Sequence, residues 1–167
     1  MIRRPPRSTL DRSSAASDVY KRQTSTRVPG LVDAKKRQAL IDMVVKHQQP
    51  DGGWSIRTFA TPETWGDGSR AAKLKAEPEF KNPPSDGHQT GLVLLVLREA
   101  GIASRDQRIQ RGVKWLKKNQ RQSGRWWTRS LNTDGFHYIT FSGSCYPLLA
   151  LGMCGELPDK VRVSAAP

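Results

Sequence analysis

The residues best suited to chemistry cluster in Asp86-Gly87-His88-Gln89-Thr90, where a carboxylate, an imidazole and a carboxamide fall within five positions. Three readings of that string stand open. An Asp followed three residues later by Gln, just ahead of an apolar run, has the pattern of a helix N-terminus. Asp86 would then accept from backbone N–H groups and Gln89 would complete a capping box. In the second reading His88 and Gln89 form a polar patch on a cavity wall that recognises a ligand. In the third, Asp86 and His88 are candidate catalytic groups, moving a proton as general acid or base.

His137 and Tyr138 precede a later apolar segment much as His88 precedes the earlier one, so they are expected to face the same space. Two histidines could share a ligand or a metal, but no third ligand is spaced to them and no metal or cofactor is expected. Trp65, Phe80, Phe136, Tyr138 and Phe141 are the aromatic candidates for a binding cavity, where ring faces attract cations. Ordinary core packing is the competing reading for each.

The elements that must position these groups are announced by a repeat. Arg111, Gly112, Trp115, Leu116, Gln120, Gly124 and Trp126 form one spaced set, and Gln48, Gly52 and Trp54 form a shorter copy with the same three-residue gap between Gln and Gly. Such self-similarity points to repeated supersecondary units. Leu40, Met43, Val44 and His47 fall at helical spacing between about 34 and 49, and Pro50 with the Gly52-Gly53 pair ends that helix. Residues 55–85 hold several prolines and only one short helix-compatible piece, 71–76. A connection of that length is normally functional or mobile.

A second helix is expected from about Asp86, apolar on all sides and therefore buried, stopped by Gly101 in a left-handed cap. A third, 106–119, carries Ile109, Val113 and Leu116 on one face and Arg108, Arg111, Lys114, Lys117 and Lys118 on the others, as an exposed layer would. A fourth apolar segment runs from Phe136 to Met153, with Pro147 forcing a kink or a late start. The order is that of an all-α ring in which inner and outer helices alternate, here about two helical hairpins.

Composition bounds the rest. The formal net charge is +13, and residues 1–30 alone carry seven basic and two acidic side chains with almost no apolar periodicity. That stretch is expected to be disordered. Residues 1–23 also resemble translated read-through of a sequencing-library adaptor, so residues 1–30 are expected to be a non-native tail, 31–158 the repeats and 159–167 a second tail. Cys145 and Cys154 have neither CxxC nor metal spacing and read as free thiols. The longest apolar run, Leu92–Leu97, is far too short to span a bilayer.

The spaced set at 111–126 resembles the QW signature of the terpene cyclase and prenyltransferase repeat family, with squalene-hopene cyclase as the nearest type. That resemblance implies a partial α/α-toroid in which Gln48, Gly52, Trp54, Gln120, Gly124 and Trp126 are structural. It also implies an apolar cavity for an isoprenoid or other apolar small molecule. The family's cyclases that act by protonation carry Asp-x-Asp-Asp-Thr-Ala at the start of an inner helix. Here the matching string is Asp86-Gly87-His88-Gln89-Thr90-Gly91, with His88 in place of the central acid and Gln89 in place of the supporting carboxylate. Imidazolium is too weak an acid to protonate an unactivated alkene. Catalytic carboxylates would lie in other repeats, and this segment alone is expected to be inactive.

The zinc arrangement of protein prenyltransferase β-subunits is absent. Gln89, His137, Tyr138, Phe141 and Trp65 are the expected substrate-binding residues. A non-catalytic binding or scaffold toroid and a pectate lyase-like polysaccharide lyase are the alternatives, the latter because some such lyases share toroid helices and similar Gly-Gly-Trp turns. The basic helix face suits a solvated surface or contact with anionic lipid headgroups. Nucleic acid is not an expected partner, since no stacking platform accompanies the charge. Oligomeric state and compartment are left open, and exposed apolar edges predict poor solubility of the isolated segment.

Overall fold

The computed structural model describes residues 33–129, 131 and 142–158. Both expected tails lie outside these residues, as do Phe136, His137, Tyr138 and Phe141. Among the described residues the chain is all-α, with five α-helices and no strand: α1 (Ala34–Lys46), α2 (Ala71–Ala76), α3 (Gly87–Glu99), α4 (Gln107–Asn119) and α5 (Ser142–Met153). Three short 3-10 turns, Ile56–Thr58, Pro62–Thr64 and Pro78–Phe80, punctuate the long connection between α1 and α3.

Local chemistry sets the helix ends. Asp33, Asp86 and Asp106 are the N-caps of α1, α3 and α4, each carboxylate accepting from a backbone N–H of the first turn. At the other end of α3, Gly101 adopts φ 89° and donates to Arg98 O at 3.0 Å, while the Ile102 N–H reaches Leu97 O at 3.0 Å. This is a Schellman closure, which needs a left-handed residue where Gly101 stands.

Helix character alternates along the chain. Only Ile41 and Val44 of α1 are buried; Leu40, Met43 and His47, expected in the same apolar stripe, are half-buried, because Ile41 lies one turn before Val44 and takes the core position. By contrast, α3 is buried from Gln89 through Leu97. In α4, Ile109, Val113 and Leu116 are buried while Arg111, Lys114, Lys117 and Lys118 face outward. α5 runs through Pro147, and its neighbour α3 offers Gly91 at that point, so close that a Cβ there would collide with the proline nitrogen and ring. Proline removes the N–H that a helix would otherwise bond internally, and the bare glycine lets the two backbones meet at that spot.

Two corners of the same build join outer to inner elements. Trp54 Nε1 donates to Val44 O at 2.9 Å and Trp126 Nε1 to Leu116 O at 2.8 Å, each ten residues back. Gln48 Nε2 reaches Gly52 O and Gln120 Nε2 reaches Gly124 O, at 2.9 and 3.1 Å. Gly52 and Gly124 both take positive φ, 96° and 77°. Each indole thus fills the core while its one donor is satisfied. The core joins both tryptophans to Ile41, Val44, Val93, Leu94, Leu97, Ile109, Val113 and Leu116.

Candidate functional site

Both corners converge on the N-terminus of α3. The Asp86 N–H donates to Trp54 O at 2.9 Å, and the Gly87 N–H to Trp127 O at 3.2 Å. Asp86 Oδ2 accepts from the Ile56 N–H at 2.7 Å, and Oδ1 from the Gln89 N–H at 2.8 Å and the Thr128 hydroxyl at 3.3 Å. Thr128 Oγ1 in turn accepts from the His88 N–H at 2.9 Å. Thr90 Oγ1 accepts from the Trp54 N–H at 2.9 Å and donates back to Trp54 O at 3.2 Å. Gly87 has no room for a side chain, because Trp126 Cβ already fills the place. Five residues of one helix turn therefore knit together the chain leaving each corner.

The expected capping box is only half present. Asp86 caps Gln89, but the Asp86 N–H that Gln89 would cap in return is taken by Trp54 O, from a segment far away in sequence. Gln89 is buried at 3% exposure, and among the described residues its Nε2 has no hydrogen-bond partner. A buried unpaired amide donor costs about 1–3 kcal/mol and calls for a reason.

Charge in this region follows burial. Burial pushes the Asp86 carboxyl up to about 6, against the pull of the Gln89 and Ile56 amides and the Thr128 hydroxyl. Burial also pushes His88 down to about 4, leaving a neutral imidazole at pH 7. The His88 Nδ1 lies 2.9 Å from Ser142 Oγ, and its ring meets Tyr146 edge-on with centroids 5.3 Å apart. Asp86 is 6% exposed, and both its carboxylate oxygens already accept from protein donors.

Trp65 lines a cavity with Phe80, Leu74 and Leu131, and His88 and Gln89 are not among its described lining residues. His137, Tyr138 and Phe141 lie outside the described residues. Sequence reasoning passed over Thr128, Ser142 and Tyr146. Thr128 had a signal: it stands two positions after Trp126, as Ile56 stands two after Trp54, and both reach Asp86. Among the described residues no group of three or more His, Cys, Asp or Glu side chains comes together, and no helix is long and apolar enough to cross a membrane. Cys145 and Cys154 are free thiols.

Alternating outer and inner helices, two corners with the same bonds and an Asp-capped inner helix at their junction are the marks of one architecture. The squalene-hopene cyclase C-terminal domain model matches residues 23–155. The chain belongs to that family. Comparison with curated proteins finds no match. At the start of its buried helix α3 this chain presents a buried carboxylate cap and a neutral imidazole.

Proposed function

We propose that this chain is a sector of a squalene-hopene cyclase-like protein that helps to wall an apolar cavity for an isoprenoid and does not itself supply the protonating acid. The observation that carries the reading is the state of Asp86, buried with both oxygens already accepting from the protein. A group that must give a proton to a substrate carbon needs contact with it, and Asp86 has none to offer. His88 supports the same view, since a neutral imidazole recognises and orients but does not protonate an alkene. Gln89 Nε2, buried without a partner among the described residues, is the donor a ligand oxygen would satisfy.

The test is incubation of the purified chain with squalene, followed by mass-spectrometric analysis of the extracted lipid. Recovery of unchanged squalene is the expected result. A cyclised product that disappears in Asp86→Asn would overturn the reading.

A scaffold role has one observation in its favour: Asp86, Thr90 and Thr128 spend their hydrogen-bonding capacity inside the protein. It is separated from the first reading by squalene binding itself, which a scaffold would lack. For partners, the outward lysines and arginines of α4 suit anionic headgroups, through which an apolar substrate could be drawn from lipid. Co-sedimentation with phosphatidylserine vesicles that fades as salt rises is the expected behaviour, and salt-independent or absent binding would remove that part.

A further inference from the structure

A second carboxylate joins the two corners one position farther along each. Ile56 and Thr128, two positions after Trp54 and Trp126, give their donors to Asp86. Arg57 and Arg129, three positions after the same tryptophans, give theirs to Glu77, which follows α2 in the long connection between α1 and α3. Each oxygen takes one arginine: Glu77 Oε2 accepts from Arg57 Nη2 at 2.5 Å, and Oε1 accepts from Arg129 Nη2 at 2.7 Å. Glu79 Oε2 stands farther off, 3.8 Å from both guanidinium groups and 50% exposed.

Arg57 and Glu77 keep only 11% and 12% side-chain exposure, and Arg129 keeps 23%. Charges so shielded from water are little screened by salt, and removing one partner leaves the others unpaired. Glu77 is the one whose loss matters most. With it, both arginines are drawn to one point; without it, two like charges face each other and only the more distant Glu79 is left to neutralise them. The pull between the corners becomes a push. Arg57 directly follows Ile56 and Arg129 directly follows Thr128, so any parting of the arginines draws the Asp86 donors apart. The same two arms flank the cavity, since Arg57 lines it and so does Leu131, two residues past Arg129.

From this geometry we infer that Glu77 is a latch, a positioning residue through which the long connection controls whether Asp86 stays capped and the cavity beside it stays closed. Latched, Glu77 grips both arginines, and the Ile56 amide and Thr128 hydroxyl remain on Asp86. Unlatched, the two arms part and water reaches the Asp86 carboxylate. The core stays folded in both states, because Trp54 and Trp126 close their corners through Val44 O and Leu116 O without help from Glu77. The inference rests on the reading of Asp86 as a cap and makes that state conditional on a residue outside α3.

Native-state hydrogen exchange of the whole chain provides the test. The Ile56 amide, bonded to Asp86, reports the first arm, and the His88 amide, bonded to Thr128 Oγ1, reports the second. Glu77→Gln keeps the shape and removes the charge; it should speed exchange of both amides by at least about tenfold while those of Leu94 to Leu97, inside α3, keep their rates. Adding Arg57→Met to Glu77→Gln removes the repulsion and should bring both amides back to within about threefold of the unmodified chain. Arg129→Met alone leaves Arg57 on Glu77 and should free the His88 amide only. Unchanged rates at Ile56 and His88 in Glu77→Gln, an equal rise throughout α3, or no recovery on adding Arg57→Met would overturn the inference. An equal response of the two amides to Arg129→Met would do the same, and that variant is decisive even where Glu77→Gln does not fold. A cyclised product from squalene would overturn the proposed function and leave these exchange rates as they are, so the two failures are distinguishable.

Discussion

Gly52 and Gly124 hold the same position in two corners made from the same hydrogen bonds, and among the described residues only Gly52 has a neighbour against it. A Cβ on Gly52 would stand 2.7 Å from Arg111 O, whereas one on Gly124 would meet nothing within 4 Å. The same contrast runs through the rest of each corner. Gln48 makes a second bond, to Arg108 O at 2.9 Å; Gln120 is exposed and reaches no neighbouring helix among the described residues. The Arg111 guanidinium donates to Gln49 O and Pro50 O, and Trp115 Nε1 to Asp51 Oδ2 at 2.9 Å, so α4 clasps the first corner along its length.

The turn and the clasp are therefore separable. Glycine, glutamine and tryptophan close the turn from within one corner, and docking of the next outer helix is added from outside. Gln48 does reach another helix, where its acceptor is a first-turn carbonyl of α4 and not one of the orphan N–H groups at that end.

If the clasp is real, equal substitutions in the two corners must have unequal costs. Gly52→Ala adds left-handed strain to a backbone collision and should lose about 3 kcal/mol or more. Gly124→Ala meets the strain alone and should lose about 1 kcal/mol. Urea denaturation of both variants reads the difference, and equal losses would break the comparison.

The junction beneath the corners gives the next effect, in pH. His88 falls from 6.5 to about 4 on folding, so its contribution is whole above 6.5 and is lost as pH falls toward 4. Asp86 rises from 3.8 to about 6, so its contribution is whole below 3.8 and is lost as pH rises through 6. The two oppose each other between about pH 4 and 6, and the stability of the unmodified chain should be nearly flat there. His88→Gln removes one of them, and stability should then rise by up to about 2 kcal/mol as pH is lowered across that window. A pH series of chemical denaturation checks the slope; a fall on acidification in this variant would show that Asp86 stays ionised in the fold.

The smallest effect separates the glutamines. Gln48→Ala should lose about 1–1.5 kcal/mol because two carbonyl acceptors lose a donor, and Gln120→Ala less than about 0.5 kcal/mol at its exposed site. Thermal melts of the pair suffice.

Much of the fold was legible because its punctuation is local. Gly101 marks the end of α3 by a conformation only glycine takes without strain, Asp106 caps α4, and residues 71–76 form a helix between prolines where no other piece of the connection can. The site was less legible because it is made at long range. Gln89 carries the local pattern of a capping box, yet Trp54 O occupies the amide it would cap. Trp65 reads as a cavity aromatic and lines one, but that cavity is closed by Leu131 from far along the chain, which no local pattern announces. Neither outcome could be seen without knowing which distant backbone arrives first.

The most direct measurement is the unfolding free energy of Asp86→Ala at pH 7, compared with the unmodified chain. As a cap tying both corners to α3, Asp86 should cost about 2–3 kcal/mol when removed, since the Gln89 and Ile56 amides and the Thr128 hydroxyl lose their acceptor. A strained catalytic acid behaves in the opposite way, and its removal commonly leaves the fold as stable or more so. Unchanged or increased stability of Asp86→Ala would contradict the structural role assigned here to the residue at the junction of the two corners.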